Sequence, residues 1–215
     1  MIKALLLDFG GVIGKIGFEI HHLTEQILGI PSGTLTWRGP FDPASDPLWQ
    51  SMQRDEITER EYWRLRAQEL GRYIGEEWTA SDYWKRVNCD DPERTIRPEA
   101  IETIKMAKTL GLKVGVFSNE LEFFYGRECM SRISLLKAVD SITDATHTKV
   151  LKPDPKAYQF AIDDLGVAPE AILFVDDQHR NIVGAQKVGL QTYHFDFLRP
   201  AECYAEVQEQ LKQRK

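Results

Sequence analysis

Cysteine is scarce: Cys89, Cys129 and Cys203 are the whole complement of a 215-residue chain. They form no CxxC pair and no Cys/His spacing, which excludes a disulfide framework and a cysteine-ligated zinc site and fits a reducing cytoplasm. Long apolar runs are also missing. The N-terminal run Ala4 to Leu7 stops at Asp8, too short for a signal-peptide core, and nothing later approaches the ~20 residues of a membrane-spanning helix. This predicts a soluble, unexported protein with no membrane among its partners. Basic excess is lacking as well: 27 Lys and Arg against 33 Asp and Glu leave a formal net charge of −6. Binding a nucleic-acid backbone depends on a basic face, so nucleic acid drops out and a small-molecule partner is expected. No run of Ser, Gln or Pro dilutes the 42% of hydrophobic residues. The chain is therefore expected to fold throughout, except for its Gln/Lys-rich last few residues.

What is there is a repeated pattern. Ile2–Leu7 is a short apolar run that stops at Asp8 and is followed by Gly10-Gly11, the signature of a buried strand ending in a tight turn. Lys113–Phe117 leads in the same way into Ser118-Asn119, and Ala171–Val175 into Asp176-Asp177. Helical periodicity lies between these runs: Ile101, Ile104 and Leu110 after Pro98, and Tyr158, Ile162 and Leu165 after Pro155. Weaker strands are expected at Ala138–Ile142 and Gln191–Phe195, with a closing amphipathic helix carrying Tyr204, Val207 and Leu211. Together these predict an α/β fold, a mainly parallel sheet with helices on both faces.

Residues 14–94 interrupt the alternation, because they separate the first strand from the second by far more than one crossover helix needs. They hold all five tryptophans (Trp37, Trp49, Trp63, Trp78, Trp84), a loop-like Gly33–Pro47 stretch, and helical patterns around Phe18–Leu28 and Thr58–Leu70. This predicts a small helical domain at 14–94, inserted into a core made of 1–13 and 95–215. The tryptophans read as the core of that insertion, and Arg38, next to Trp37, as a solvated arginine.

In an open parallel sheet, ligands bind outside the carboxyl ends of the strands, where Asp8, Ser118-Asn119 and Asp176-Asp177 would meet. Lys152 joins them from Lys152-Pro153-Asp154-Pro155, two prolines stiffening the loop before a helix. The ordered set, LLLDFGGVI at the first strand, VFSNE at the second, KPDP before a helix and FVDDQHRNI after that, resembles the haloacid dehalogenase superfamily. The resemblance spans nearly the whole chain outside the insertion. It implies a Rossmann-like core, a helical cap inserted between the first two motifs, and Asp8 as a nucleophile that forms a covalent aspartyl intermediate.

Elementary chemistry fits those implied roles. A carboxylate attacks phosphorus without first losing a proton, provided the phosphoryl charge is neutralised and held in line. Asp8, Asp176 and Asp177 carry three negative charges and Lys152 returns one, so a cation is needed. Mg²⁺ suits Asp8, Asp176, Asp177 and a backbone carbonyl near Gly10, with the substrate phosphate and water completing its oxygen shell. The Ser118 hydroxyl and the Asn119 backbone N–H suit phosphate oxygens, Lys152 suits Asp8 and the developing charge, and Asn181 suits either bracing the Asp176-Asp177 loop or capping a helix.

One position departs from the family pattern. Its phosphatases usually carry a second aspartate two residues after the nucleophile, as general acid and base, and here that position is Gly10. Its loss costs roughly 10²- to 10⁴-fold on poor leaving groups. A phosphatase acting on a small phosphorylated metabolite is the leading expectation, favouring good leaving groups or recruiting another acid from Glu19, His21, His22 or Glu120. Some branches that resemble this chain carry glycine here and are grouped with sugar-phosphate phosphatases. A 2-haloacid dehalogenase is the alternative, since halide leaves without a proton and Ser118-Asn119, Lys152 and Tyr158 would suit it. The adjacent Asp176-Asp177 pair, however, would repel a haloacid's carboxylate. A non-catalytic member that binds a phosphorylated ligand or a protein is the third reading. The sequence is compatible with a monomer or a homodimer.

Overall fold

Four apolar residues in a row, every one buried, form β1 (Ala4–Leu7). In the computed structural model, which describes residues 1–213, the chain then runs through α1 (His21–Leu28), α2 (Pro47–Gln53), α3 (Glu59–Tyr73), α4 (Ala80–Asn88) and α5 (Pro98–Thr109) to β2 (Lys113–Ser118). It continues with α6 (Leu121–Arg132), β3 (Ser141–Asp144), α7 (Ala145–Thr148), α8 (Pro155–Leu165), β4 (Ile172–Asp176), α9 (His179–Lys187), β5 (Gln191–His194) and α10 (Pro200–Lys212). Of the Gln/Lys-rich end, residues 214 and 215 lie outside the described residues. No described helix is long and apolar enough to cross a membrane.

Among the described residues the five strands form one sheet in the order β3-β2-β1-β4-β5, every pair parallel. This is an α/β, Rossmann-like fold. Its central strand β1 is flanked by β2 on one side and β4 on the other. The winding direction therefore reverses beside β1, and in sheets of this kind ligands bind at such a switch point, outside the carboxyl ends of these three strands. Both faces are covered. Leu6, Phe117, Ile172 and Phe174 pack under α8 and α9 with Tyr158, Ile162, Leu165 and Ile182, while α5 packs on β2 and against α10 on the opposite side.

The third strand begins later than the expected Ala138–Ile142. Ser134–Lys137 coil into a 3₁₀ turn, and the strand runs over Ser141–Asp144. Asp140 explains the shift: its N–H donates to the Val114 carbonyl at 2.7 Å and its carboxylate accepts the Val114 N–H at 2.7 Å. That clamp sets the register that pairs Gly115 with Ser141.

The chain divides into two compact units: Met1–Lys15, Thr95–Glu122 and Met130–Lys215 form the first, and Ile16–Arg94 with Phe123–Cys129 the second. The second is built on aromatic packing. Trp63 lies 5.4 Å from Phe18, 5.1 Å from Tyr62 and 5.2 Å from Trp84, ring centre to ring centre. A Cβ at Gly17 would stand 2.5 Å from the Trp63 ring, so only glycine lets the chain pass there. Trp37, Trp63, Trp78 and Trp84 are buried, Trp49 is half-buried and Arg38 is exposed. Helix starts follow capping chemistry: Thr58 accepts the Glu61 N–H, and Thr79 and Asp82 form a reciprocal capping box. Burial pushes the Glu25 carboxyl up, but the N–H groups of Leu35 and Gly33, at 2.8 and 3.0 Å, outweigh it and hold it below its ordinary range. Glu25 thereby ties down the loop that follows α1.

Candidate active site

Within the first unit, β1 delivers Asp8, β2 ends on Ser118 and β4 ends on Asp176, as parallel strands of matched register must. Asp8 is buried; its N–H donates to the Val175 carbonyl at 2.9 Å and its Oδ1 accepts the Phe9 N–H at 2.7 Å. The chain of Lys152 arrives from the other side. Its Nζ stands 2.8 Å from Asp8 Oδ1, 2.7 Å from Asp176 Oδ2 and 3.0 Å from the Phe117 carbonyl. These contacts engage all three ammonium protons, over the rings of Phe117 and Phe174 at 5.0 and 5.5 Å.

Local sequence explains why the lysine holds that place. Pro155 opens α8, Asp154 caps it by accepting the Lys156 N–H at 2.9 Å, and the Asn119 side chain clasps the Lys152 backbone. Asn119 Oδ1 accepts the Lys152 N–H at 2.7 Å and its Nδ2 donates to the Lys152 carbonyl at 3.3 Å. The sequence offers no sign of this clasp, since the Asn119 side chain and the Lys152 backbone it holds stand 33 positions apart. Asn181 donates through Nδ2 to both oxygens of Asp176, at 3.0 and 3.1 Å, while its carbonyl accepts the Tyr158 hydroxyl at 2.8 Å. The Gln178 N–H adds a bond at 2.8 Å to Asp176 Oδ1.

Electrostatics here are governed by burial. Desolvation pushes the Asp8 carboxyl up to about 7, the charge of Asp176 adds to that, and Lys152 works against both. For Lys152, burial favours the neutral amine, but Asp176 and Asp8 outweigh it and hold the group above its ordinary value. Oxygens of Asp8, Asp176 and Asp177 all lie within 4.8 Å of one another. A buried carboxylate that ionises with difficulty beside two others is the all-oxygen donor set that a hard divalent cation takes. Gly11 completes the packing: its φ is +77° and a Cβ there would stand 2.7 Å from Asp177 Oδ2. Gly10, by contrast, is exposed, with no heavy atom within 4 Å of an added Cβ.

The other candidates are placed elsewhere. Glu19, His21 and His22 belong to the second unit, where Glu19 accepts the Ile16 N–H at 2.9 Å and His21 lies edge-on to Trp37 at 4.2 Å. Glu120 belongs to the first unit, directly ahead of α6. The Tyr158 hydroxyl, engaged by the Asn181 carbonyl, lies fully buried in the core.

The family model for haloacid dehalogenase-like hydrolases matches residues 2–189. Among curated relatives, (S)-2-haloacid dehalogenase 4A of Burkholderia cepacia is 35% identical over 100 residues, 46% of this chain and 43% of that protein. Phosphatase MT3486 of Mycobacterium tuberculosis is 33% identical over 99 residues, 46% of each chain. The matches thus span less than half the length of each of these two relatives. Among solved structures, L-2-haloacid dehalogenase from Xanthobacter autotrophicus superposes with a TM-score of 0.58 at 19% identity, covering 90% of this chain and 77% of that one. The HAD phosphatase from Thermococcus onnurineus gives 0.57 at 18%, covering 91% and 86%. Likeness at this level of identity speaks for the fold.

Proposed function

This chain belongs to the haloacid dehalogenase-like hydrolase family, and on that premise we propose that it is a Mg²⁺-dependent phosphatase of a small phosphorylated metabolite. The observation that carries the reading is the carboxylate pair Asp176-Asp177, with oxygens within 4.8 Å of those of Asp8. Bound there by Asp8, Asp176, Asp177 and the backbone carbonyl of Gly10, Mg²⁺ would neutralise phosphoryl charge. Asp8 attacks phosphorus and forms an aspartyl-phosphate, the leaving oxygen departs with the rest of the substrate, and water hydrolyses the acyl phosphate to regenerate the carboxylate. Ser118 Oγ and the Asn119 N–H hold phosphate oxygens. Lys152, fixed at 2.8 Å from Asp8, holds the nucleophile and offsets charge as it develops. Asn181 and the Asn119 clasp keep Asp176 and Lys152 in place. The second unit is assigned the role of cap, in a cytoplasmic enzyme whose three cysteines stay reduced.

Gly10 supports preference for good leaving groups, such as aryl, acyl or anomeric sugar phosphates, which depart without a proton donor. The same glycine favours the second reading, dehalogenation of a 2-haloacid through an aspartyl ester, which the 35% identity to a haloacid dehalogenase also supports. Against it stands charge: Asp176-Asp177 would repel the substrate carboxylate. Phosphate release from aryl phosphate, sugar 1-phosphates and sugar 6-phosphates, with Mg²⁺ and with chelator, is to be measured beside halide release from 2-haloacids. Chelator-sensitive phosphate release is expected, falling below detection in Asp8→Asn. Metal-independent halide release with no phosphate release would replace this function with the second.

A further inference from the structure

The turn behind the nucleophile is fastened from outside itself. Phe9 and Gly14 close it, the Gly14 N–H donating to the Phe9 carbonyl at 2.8 Å. Three successive carbonyls inside it are then taken by donors distant in sequence. The Gly11 carbonyl accepts both Nε and Nη2 of Arg97, at 3.2 and 3.1 Å. The Val12 carbonyl accepts the Tyr204 hydroxyl at 2.9 Å, and the Ile13 carbonyl accepts the Arg97 N–H at 2.9 Å. Arg97 is 2% exposed and Tyr204 1%.

A buried guanidinium is costly to desolvate, and a planar fork that sends two donors to one carbonyl holds that peptide in position and in orientation. The peptide so held belongs to the residue that lies beside Asp177 of the acidic cluster. A Cβ at Gly11 would stand only 2.7 Å from Asp177 Oδ2, so the placing of this residue limits how closely Asp177 approaches the turn that follows Asp8. Capping Pro98–Thr109 needs no arginine and the helix dipole disfavours one at that end; the guanidinium instead faces the Gly11 carbonyl, with the Phe195 ring 6.0 Å away.

We propose that Arg97 is a positioning residue for the hydrolytic reaction: by fixing the Gly11 peptide it sets the spacing between Asp8 and Asp176-Asp177, with the Tyr204 hydroxyl holding Val12 in support. The proposal rests on the nucleophile and metal assignments made above. Arg97 is assigned no part in holding substrate or metal, so its removal acts on transition-state geometry and metal affinity while leaving substrate binding nearly unchanged.

The test compares the full chain with Arg97→Met, Arg97→Lys and Tyr204→Phe. Three quantities are read: kcat and KM for an aryl phosphate with Mg²⁺, the Mg²⁺ dissociation constant by calorimetry without substrate, and the folded fraction by circular dichroism. Per folded molecule, Arg97→Met is expected to lose about 10- to 100-fold in kcat and about 10-fold in Mg²⁺ affinity, with KM nearly constant. Arg97→Lys, which keeps the charge and one donor, should recover part of both, and Tyr204→Phe should show a smaller loss of the same kind. Wild-type kcat and Mg²⁺ affinity in folded Arg97→Met would overturn the proposal, as would a loss accounted for by the folded fraction. If Arg97→Met does not fold, the same criteria apply to Arg97→Lys and Tyr204→Phe. A wild-type protein that releases halide but no phosphate would sink the phosphatase reading alone, and Arg97 is then judged by the same loss in halide turnover. A wild type silent on both substrates leaves the calorimetric comparison to decide on Arg97.

Discussion

Gly10 is exposed, and a Cβ there would meet no heavy atom within 4 Å. The glycine is therefore not imposed by packing, unlike Gly11, where the backbone φ is +77° and the Asp177 carboxylate fills the space. A carboxyl added two residues after Asp8 would supply the general acid and base that Gly10 itself cannot. Gly10→Asp is expected to fold with an unchanged melting temperature and to raise kcat/KM on alkyl phosphates by about 10-fold or more, with little gain on aryl phosphates. Steady-state kinetics on the two substrate classes check this, and an equal change on both would show that leaving-group protonation is not what limits the enzyme. Asp8 sets the opposite limit. Burial pushes its carboxyl up to about 7 even with the Lys152 ammonium beside it, and because an amide cannot take its place as nucleophile, Asp8→Asn is expected to abolish turnover whichever substrate is found.

At the scale of elements, the second unit depends on a neutral imidazole. Burial lowers His21 from its ordinary 6.5 to about 4, the charge of Glu25 opposing this and those of Arg38 and Arg66 adding to it. The imidazole packs edge-on to Trp37, whose ring carries the Arg66 guanidinium at 4.6 Å. Arg66 in turn pairs with the fully buried Asp46, which also accepts the Tyr62 hydroxyl at 2.7 Å. Because the folded state resists protonating His21, the unfolded chain takes up that proton first as pH falls. The contribution of His21 is thus complete above about pH 6.5 and is lost progressively down to about pH 4, amounting to ~3 kcal/mol at most. Urea unfolding across that window should show the decline, and His21→Gln should flatten it. Glu25, held below its ordinary value by the Leu35 and Gly33 N–H groups, loses its contribution only at lower pH, as the carboxylate is protonated. An unaltered slope in His21→Gln would place the titrating group elsewhere.

At the scale of the whole molecule, the carboxylate cluster predicts coupling between metal and stability. A cation that binds only the folded chain stabilises it by ~3 kcal/mol at a concentration 100-fold above its dissociation constant. Mg²⁺ should therefore raise the melting temperature of the wild-type chain by several degrees and that of Asp176→Asn little, as followed by differential scanning calorimetry. Equal shifts in the two proteins would locate the metal away from Asp176.

The sequence by itself determined the α/β class, the three buried strands and the residues at their carboxyl ends, because apolar run length, turn residues and parallel topology are local signals that act together. It also marked Asp8, Ser118, Asn119, Lys152, Asp176 and Asp177 through motif order. Tertiary structure alone decided the strand order, the late start of β3 at Ser141, the Asn119 clasp on Lys152, and the single ammonium shared by Asp8 and Asp176. It alone joined Arg97 to Gly11 across 86 positions and Tyr204 to Val12 across 192. Such pairings leave no periodicity to read, since a side chain that reaches across the fold is chosen by burial and hydrogen-bond geometry and not by its neighbours in the chain.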